Sequence, residues 1–155
     1  MLTGSVTVSR SSLEGVISLS GAKNSALRLL AASLLTSETV TLSNYPASLL
    51  DARVHVDMLM ALGKVVSLES TDEIRITETG RLQSRLTWEG RSIRNTLLIL
   101  GALTARFGEA SVPLPGGCKL GERKFDLHAM LLTRLGAQVW EEGEYLFASA
   151  SSGLV

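Results

Sequence analysis

The residues of this chain best suited to chemistry lie in one loop, Ser111-Val-Pro-Leu-Pro-Gly-Gly-Cys-Lys-Leu-Gly-Glu-Arg-Lys-Phe-Asp-Leu-His128. It carries the single cysteine, Cys118, directly after Gly116 and Gly117, with Pro113 and Pro115 before it and Gly121 after it. Proline lacks a backbone donor and fixes φ, and paired glycines favour turns, so the stretch reads as a loop rather than a helix. Lys119, Arg123 and Lys124 lie near the thiol in sequence. Cations lower a thiol's pKa and favour the reactive thiolate. A lone cysteine also reads as a small buried apolar residue, and the residue pattern leaves both readings open.

Other polar residues fall at the starts of expected helices. Lys23 and Asn24 follow Ser20-Gly21, where unpaired backbone donors and the helix dipole favour an anion. They read equally as a solvated lysine and a helix cap. Arg94 is also near a helix start and has a surface arginine as its plainer reading. Guanidinium groups such as those of Arg94 and Arg123 suit phosphate and carboxylate because their donors bind bidentately. Asp126 also reads as a cap for the helix that follows it, His128 as a structural histidine, and His55 receives no role. Two histidines far apart give no metal-ligand spacing, so neither a metal nor a cofactor is expected. The Ser-Gly-Ala-Lys stretch lacks the glycine spacing of a P-loop.

Elements that would position these residues follow from periodicity. Val6 and Val8, then Val16, Ile17 and Leu19, predict two short strands joined by a turn. A helix from about Lys23 places Leu27, Leu30, Ala31, Leu34 and Leu35 on one stripe. A strand over 39–42 follows, and then a helix capped by Asp51, carrying Val54, Met58, Leu59 and Leu62 and stopped by Gly63. A hairpin turns at Thr71-Asp72. The plan then recurs as a helix over 92–106, a strand over 110–114, the cysteine loop, a helix over about 125–135 burying Leu127, Met130 and Leu131, and a hairpin across Glu142-Gly143-Glu144. Matched positions lie roughly seventy residues apart, as in an internal duplication. Strands alternating with helices predict an α/β (α+β) class.

At 155 residues with 45% apolar content, the chain can build one domain with a real core. Fifteen basic and fifteen acidic residues balance, so bulk charge argues for neither nucleic acid nor a membrane surface as partner. One cysteine excludes a disulfide framework, the start has no signal layout, and the longest apolar run is too short to span a bilayer. A cytoplasmic protein is expected.

Three motifs, in order, resemble those of the UDP-N-acetylglucosamine enolpyruvyl transferases (1-carboxyvinyltransferases). They are Leu19-Ser-Gly-Ala-Lys-Asn-Ser-Ala26, Arg91-Ser-Ile-Arg94 leading to Ala105-Arg-Phe-Gly108, and Pro115-Gly-Gly-Cys-Lys-Leu-Gly-Glu-Arg123 followed by Asp126-Leu-His128. The resemblance covers essentially the whole chain but only the amino-terminal part of a much longer enzyme. It implies the inside-out α/β barrel built from βαβαββ units, two of them here, at about 21–80 and 91–150 of a partial domain 21–155. Residues 1–20 would then be strands belonging to the opposite domain.

The resemblance also implies a reaction. Enolpyruvyl passes from phosphoenolpyruvate to the 3′-hydroxyl of UDP-N-acetylglucosamine in peptidoglycan synthesis. Cys118 would protonate phosphoenolpyruvate and be alkylated by fosfomycin. Lys23 and Asn24 would contact phosphoenolpyruvate, Arg94 and Arg123 would bind anionic groups, and Asp126 would accept the uracil N–H. Two departures weaken the nucleotide side: Lys124 stands where the family has proline, and Glu122 adds a charge that offsets Arg123. The family's proposed base and a further arginine fall outside the matched part. The chain alone is therefore expected to be nearly inactive. Its partners would be the missing half as a separate chain or a second copy in a homodimer. The alternative is a binding or regulatory module that keeps the fold without turnover. The shikimate-pathway branch is disfavoured because it does not use this cysteine loop.

Overall fold

The structure is a computed structural model, and it describes residues 5–91, 93–115 and 125–155. Two three-stranded sheets with the same internal order each carry two helices. The first unit runs α1 (Lys23–Ala32), a 3-10 turn (Ser33–Leu35), β1 (Val40–Leu42), α2 (Leu50–Leu62), β2 (Lys64–Leu68) and β3 (Ile74–Glu78). The second runs α3 (Thr96–Phe107), β4 (Glu109–Pro113), α4 (Asp126–Arg134), β5 (Gln138–Glu142) and β6 (Tyr145–Ser149). The sheet orders are β1-β3-β2 and β4-β6-β5, all antiparallel. The registers correspond, with Val66 opposite Ile76 in one sheet and Trp140 opposite Phe147 in the other, each the third pair of its hairpin. Among the described residues, only the second sheet gains a further parallel segment. There the Leu86 N–H donates to Ser111 O (2.9 Å) and the Ser111 N–H to Ser84 O (3.1 Å).

The predicted helical stripe of α1 is largely real, with Leu27, Leu30, Ala31 and Leu34 buried in the common core and Leu35 exposed. Val54, Met58, Leu59 and Leu62 of α2 are buried as their spacing implies. Gly63 ends α2 with φ 110°, and Gly136 follows α4 with φ 96°, conformations that cost a side chain its Cβ clearance. At Gly21 a Cβ would collide with Asn44 O, so only glycine lets the chain pass that turn into α1.

Three expectations need correction. Asp51 does not cap α2. Leu49 is the cap residue and makes no side-chain cap bond, while Asp51 sits in the first turn and pairs with Lys23. The α4 face also differs, since Leu127, Met130 and Leu131 are 68%, 45% and 55% exposed and Leu132 is the buried residue. The helix packs on β5, and nothing among the described residues covers its other apolar side. Finally, residues 5–20 form no strand, and Val6, Val8, Val16, Ile17 and Leu19 are exposed. Two short strands without a sheet to join bury too little to hold themselves.

A buried charge cluster joins the units. Glu78 on β3 receives Lys64 Nζ at 2.8 Å and both terminal guanidinium nitrogens of Arg106 from α3 at 2.7 and 2.8 Å. Lys64 and Arg106 also donate to the Thr36 and Leu34 carbonyls at 2.7 and 2.9 Å. The Arg106 bonds, with Lys64 adding to them and burial opposing both, hold the Glu78 carboxyl at about 2 against its usual 4.5.

Candidate functional site

The site is built where the starts of α1 and α3 come near α4. The α1 start is capped by the Ala22 backbone alone, with no side-chain bond, so Asn24 is a second helical residue and not a cap. Asn24 and Arg28 stand one turn apart on the same face, and Arg28 Nη1 donates to Asn24 O at 2.9 Å. Residues Ile93–Asn95 turn into α3, with the Leu98 N–H donating to Asn95 O at 3.0 Å. That turn brings Arg94 beside α1. The third wall is α4, which presents His128 from its first turn.

These elements enclose a cavity of about 210 Å³ lined by Asn24, Arg28, Arg94, Asn95 and His128 over a floor of Leu27, Leu97 and Leu98. Burial first, and then the Arg94 guanidinium, hold the His128 imidazole below its ordinary value, so it is neutral at pH 7. Cationic forks, carboxamides and a neutral imidazole around one space make a receptor for an anion with several oxygens. An apolar groove of about 330 Å³ continues from it along α1, α3 and α4, sharing Arg28 and His128 and lined further by Ala32, Leu35, Ala105 and Leu131.

Of the residues that sequence singles out, the structure brings Asn24 and Arg94 to this cavity. Lys23 does not line it, and its ammonium pairs with Asp51 at 2.9 Å. Asp126 is exposed in the first turn of α4 and also lies off the cavity. Cys118 and Arg123 lie outside the described residues. Sequence reasoning missed Arg28, whose only signal is its spacing of four from Asn24, and read His128 as structural. Among the described residues no group of His, Cys, Asp or Glu could hold a metal ion. No helix among them is long and apolar enough to cross a membrane.

Comparison with known proteins decides the family. The family model described as EPSP synthase (3-phosphoshikimate 1-carboxyvinyltransferase) matches residues 8–153. This chain belongs to that family. Within the EPSP synthase family it is similar to proteins named UDP-N-acetylglucosamine 1-carboxyvinyltransferase. That of Sulfurovum sp. strain NBC37-1 is 41% identical over 143 residues, covering 92% of this chain and 33% of the relative. That of Acidiphilium cryptum is 42% identical over 144 residues, covering 92% and 34%. The chain thus spans about a third of the length of these curated relatives. Among solved structures, the enolpyruvyl transferase NikO from Streptomyces tendae matches with a TM-score of 0.69 at 23% identity, over 90% of this chain and 30% of that one. EPSP synthase from Acinetobacter baumannii matches with a TM-score of 0.65 at 20% identity, over 90% and 33%. At those identities the structures show a shared fold: this chain has the mixed α/β architecture of the enolpyruvyl transferases.

Proposed function

We propose that the chain forms one wall of an enolpyruvyl transferase site that moves the enolpyruvyl group of phosphoenolpyruvate to the 3′-hydroxyl of UDP-N-acetylglucosamine, in a cytoplasmic setting. The observation that carries this reading is convergence. Asn24 and Arg94, chosen on separate motifs far apart in sequence, open on one cavity. The names of the relatives support the same substrates.

In this reading the Cys118 thiol gives its proton to the methylene carbon of phosphoenolpyruvate, and the sugar 3′-oxygen bonds to the adjacent carbon while losing its own proton to a base. The resulting ketal expels phosphate and loses a methyl proton, which restores the enol ether. Arg94 and Arg123 balance the phosphate and carboxylate charges, Lys23 and Asn24 orient phosphoenolpyruvate, and Asp126 accepts the uracil N–H. The base and the opposing wall are supplied from beyond these residues, by further chain, a partner half or a second copy, so these residues alone turn over slowly at best.

Intact-protein mass spectrometry after fosfomycin treatment tests this. One adduct on Cys118, forming faster with UDP-N-acetylglucosamine present, is the expected result; a folded sample with no adduct under either condition overturns it. A second reading, a binding module without turnover, is favoured by the Lys23–Asp51 ion pair, which turns the lysine off the cavity.

A further inference from the structure

The outer face of the second sheet carries a row of side chains that crosses the sheet and stops at an edge. Arg85 begins the row, from the segment that runs parallel beside β4, and its Nε donates to Ser111 Oγ at 3.1 Å. Its guanidinium lies 5.5 Å from the centre of the Phe147 ring on β6. Phe147 in turn stacks on Trp140 of β5, with ring centroids 5.4 Å apart and planes 12° from parallel. Cation, phenyl and indole thus cover one another in sequence. The row ends at Trp140, which is 42% exposed and stands on the outermost strand of the order β4-β6-β5.

The backbone of β5 fixes how a further strand would pair with it. Glu142 and Tyr145 flank the two-residue loop Gly143-Glu144, and such a loop makes its flanking pair a hydrogen-bonded one. Bonded pairs alternate along an antiparallel ladder. Glu142, Trp140 and Gln138 therefore turn their N–H and C=O groups toward β6, while Val139 and Glu141 turn theirs outward. No strand among the described residues lies on that outward side. Each residue from Gln138 to Glu142 has one partner in β6, without a bulge. None of them is lysine or proline, residues that commonly blunt an edge. We propose that β5 is a self-association surface, on which the β5 of a second copy of this chain pairs antiparallel about Trp140. In that register Val139 of each copy meets Glu141 of the other, and each pair exchanges both of its N–H···O=C bonds. Trp140 then faces its own counterpart in the non-bonded position, where side chains approach most closely and an aromatic pair is stabilising. Gln138 comes opposite Glu142 at both ends, so a carboxamide donor meets a carboxylate. A register centred on Glu141 would instead set two carboxylates face to face, and one centred on Val139 would part the indoles. The pairing uses no residue of the candidate site, so it neither needs nor tests the transferase reading.

Sedimentation equilibrium of the full chain over a range of concentrations is the test, with circular dichroism to show that each variant stays folded. The weight-average mass is expected to rise from one chain toward two, and hydrogen exchange at the Val139 and Glu141 amides to slow over the same range. Trp140→Lys places a charge on the edge and is expected to weaken association about tenfold or more. Glu141→Pro removes an outward N–H and none that the hairpin uses, so the fold remains and the dimer is lost. Val65→Lys puts the same charge on β2, the outer strand of the first sheet, where Val65 is 49% exposed and no aromatic residue stands. It is expected to leave the dimer intact, as is Leu131→Glu on the open side of α4. A single-chain mass at every concentration overturns the proposal. A dimer that survives both β5 variants, or one that Val65→Lys or Leu131→Glu abolishes, also overturns it, because association then runs through another face.

Discussion

The two units of this molecule share an element order and a strand register, yet they bury different things. In the first, α2 lies along α1 and over its own sheet, and Met58, five residues before Gly63, is fully buried. In the second, Leu131 stands five residues before Gly136 and is exposed on α4. In the first, the opening pair of the hairpin is Lys64 opposite Glu78, buried against Arg106 of the other unit. In the second, the matching pair is Gln138 opposite Ser149, and Gln138 is exposed. Equivalent positions therefore take charged, buried side chains only where another unit supplies the partner. Where nothing among the described residues faces the unit, the hairpin pair is neutral and the apolar helix side stays open.

The largest effect that tests this contrast is at the charge cluster. With side-chain exposures of 0% for Lys64, 9% for Glu78 and 18% for Arg106, Glu78→Gln leaves two cations without a counter-charge and is expected to cost about 3–5 kcal/mol in chemical denaturation. Gln138→Ala at the matching place should stay within about 0.5 kcal/mol. The pH dependence separates the cause. The Glu78 carboxyl is held at about 2 against 4.5, so its contribution is complete above pH 4.5 and is lost as pH falls from there toward 2. Glu78→Gln should flatten that part of the stability curve; an unchanged slope would mean that the cluster does not join the units.

The helix pair gives the next effect. Met58→Ala is expected to cost about 2–5 kcal/mol because it empties a closed space in the core. Leu131→Ala is expected to cost no more than about 0.5 kcal/mol, since its neighbours already lie open to water. If the two cost the same, α4 is covered in solution and the chain associates through that face, which sedimentation would show directly.

The histidines sharpen the comparison further, because each stands eight residues before its glycine, His55 before Gly63 and His128 before Gly136. His55 is fully buried, and among the described residues neither ring nitrogen has a hydrogen-bond partner. Burial lowers its pKa from 6.5 to about 4. The unfolded chain takes up the proton below pH 6.5 while the folded one refuses it, so stability is complete above 6.5 and falls steadily down to about 4. At about 1.4 kcal/mol per pKa unit, the loss is about 3 kcal/mol. His55→Leu should remove that slope. In an NMR titration the His128 signal should move at higher pH than that of His55, yet below the ordinary histidine value; coincident titrations would erase the difference between the units.

How far sequence alone reaches follows from these positions. The period of roughly seventy residues, the glycine stops and the apolar stripes of α1 and α2 were legible, because each is written in local spacing. The face of α4 was misread because an amphipathic pattern states which side is apolar and not whether anything covers it. Asp51 was misread as a cap because its partner, Lys23, is remote in sequence. Asn24 and Arg94 could be picked out by resemblance. Arg28 could not, since an arginine four residues along a helix reads as solvated surface until the fold sets Arg94 and His128 across from it.

The smallest predicted effect bears most on function. Lys23 and Asp51 form an ion pair 2.9 Å long, with side chains 50% and 31% exposed. A pair so open to water is worth at most about 1 kcal/mol, so a double-mutant cycle of Lys23→Met and Asp51→Asn should return a coupling energy in that range. Such weak coupling lets the lysine leave: a phosphorylated substrate needs only a modest interaction to draw the ammonium from Asp51 toward the neighbouring cavity. Asp51→Asn should then strengthen the binding of phosphoenolpyruvate by a few-fold at most, with Lys23→Met abolishing the gain. If Asp51→Asn leaves phosphoenolpyruvate binding unchanged, Lys23 belongs to the scaffold and its ion pair with Asp51 is structural.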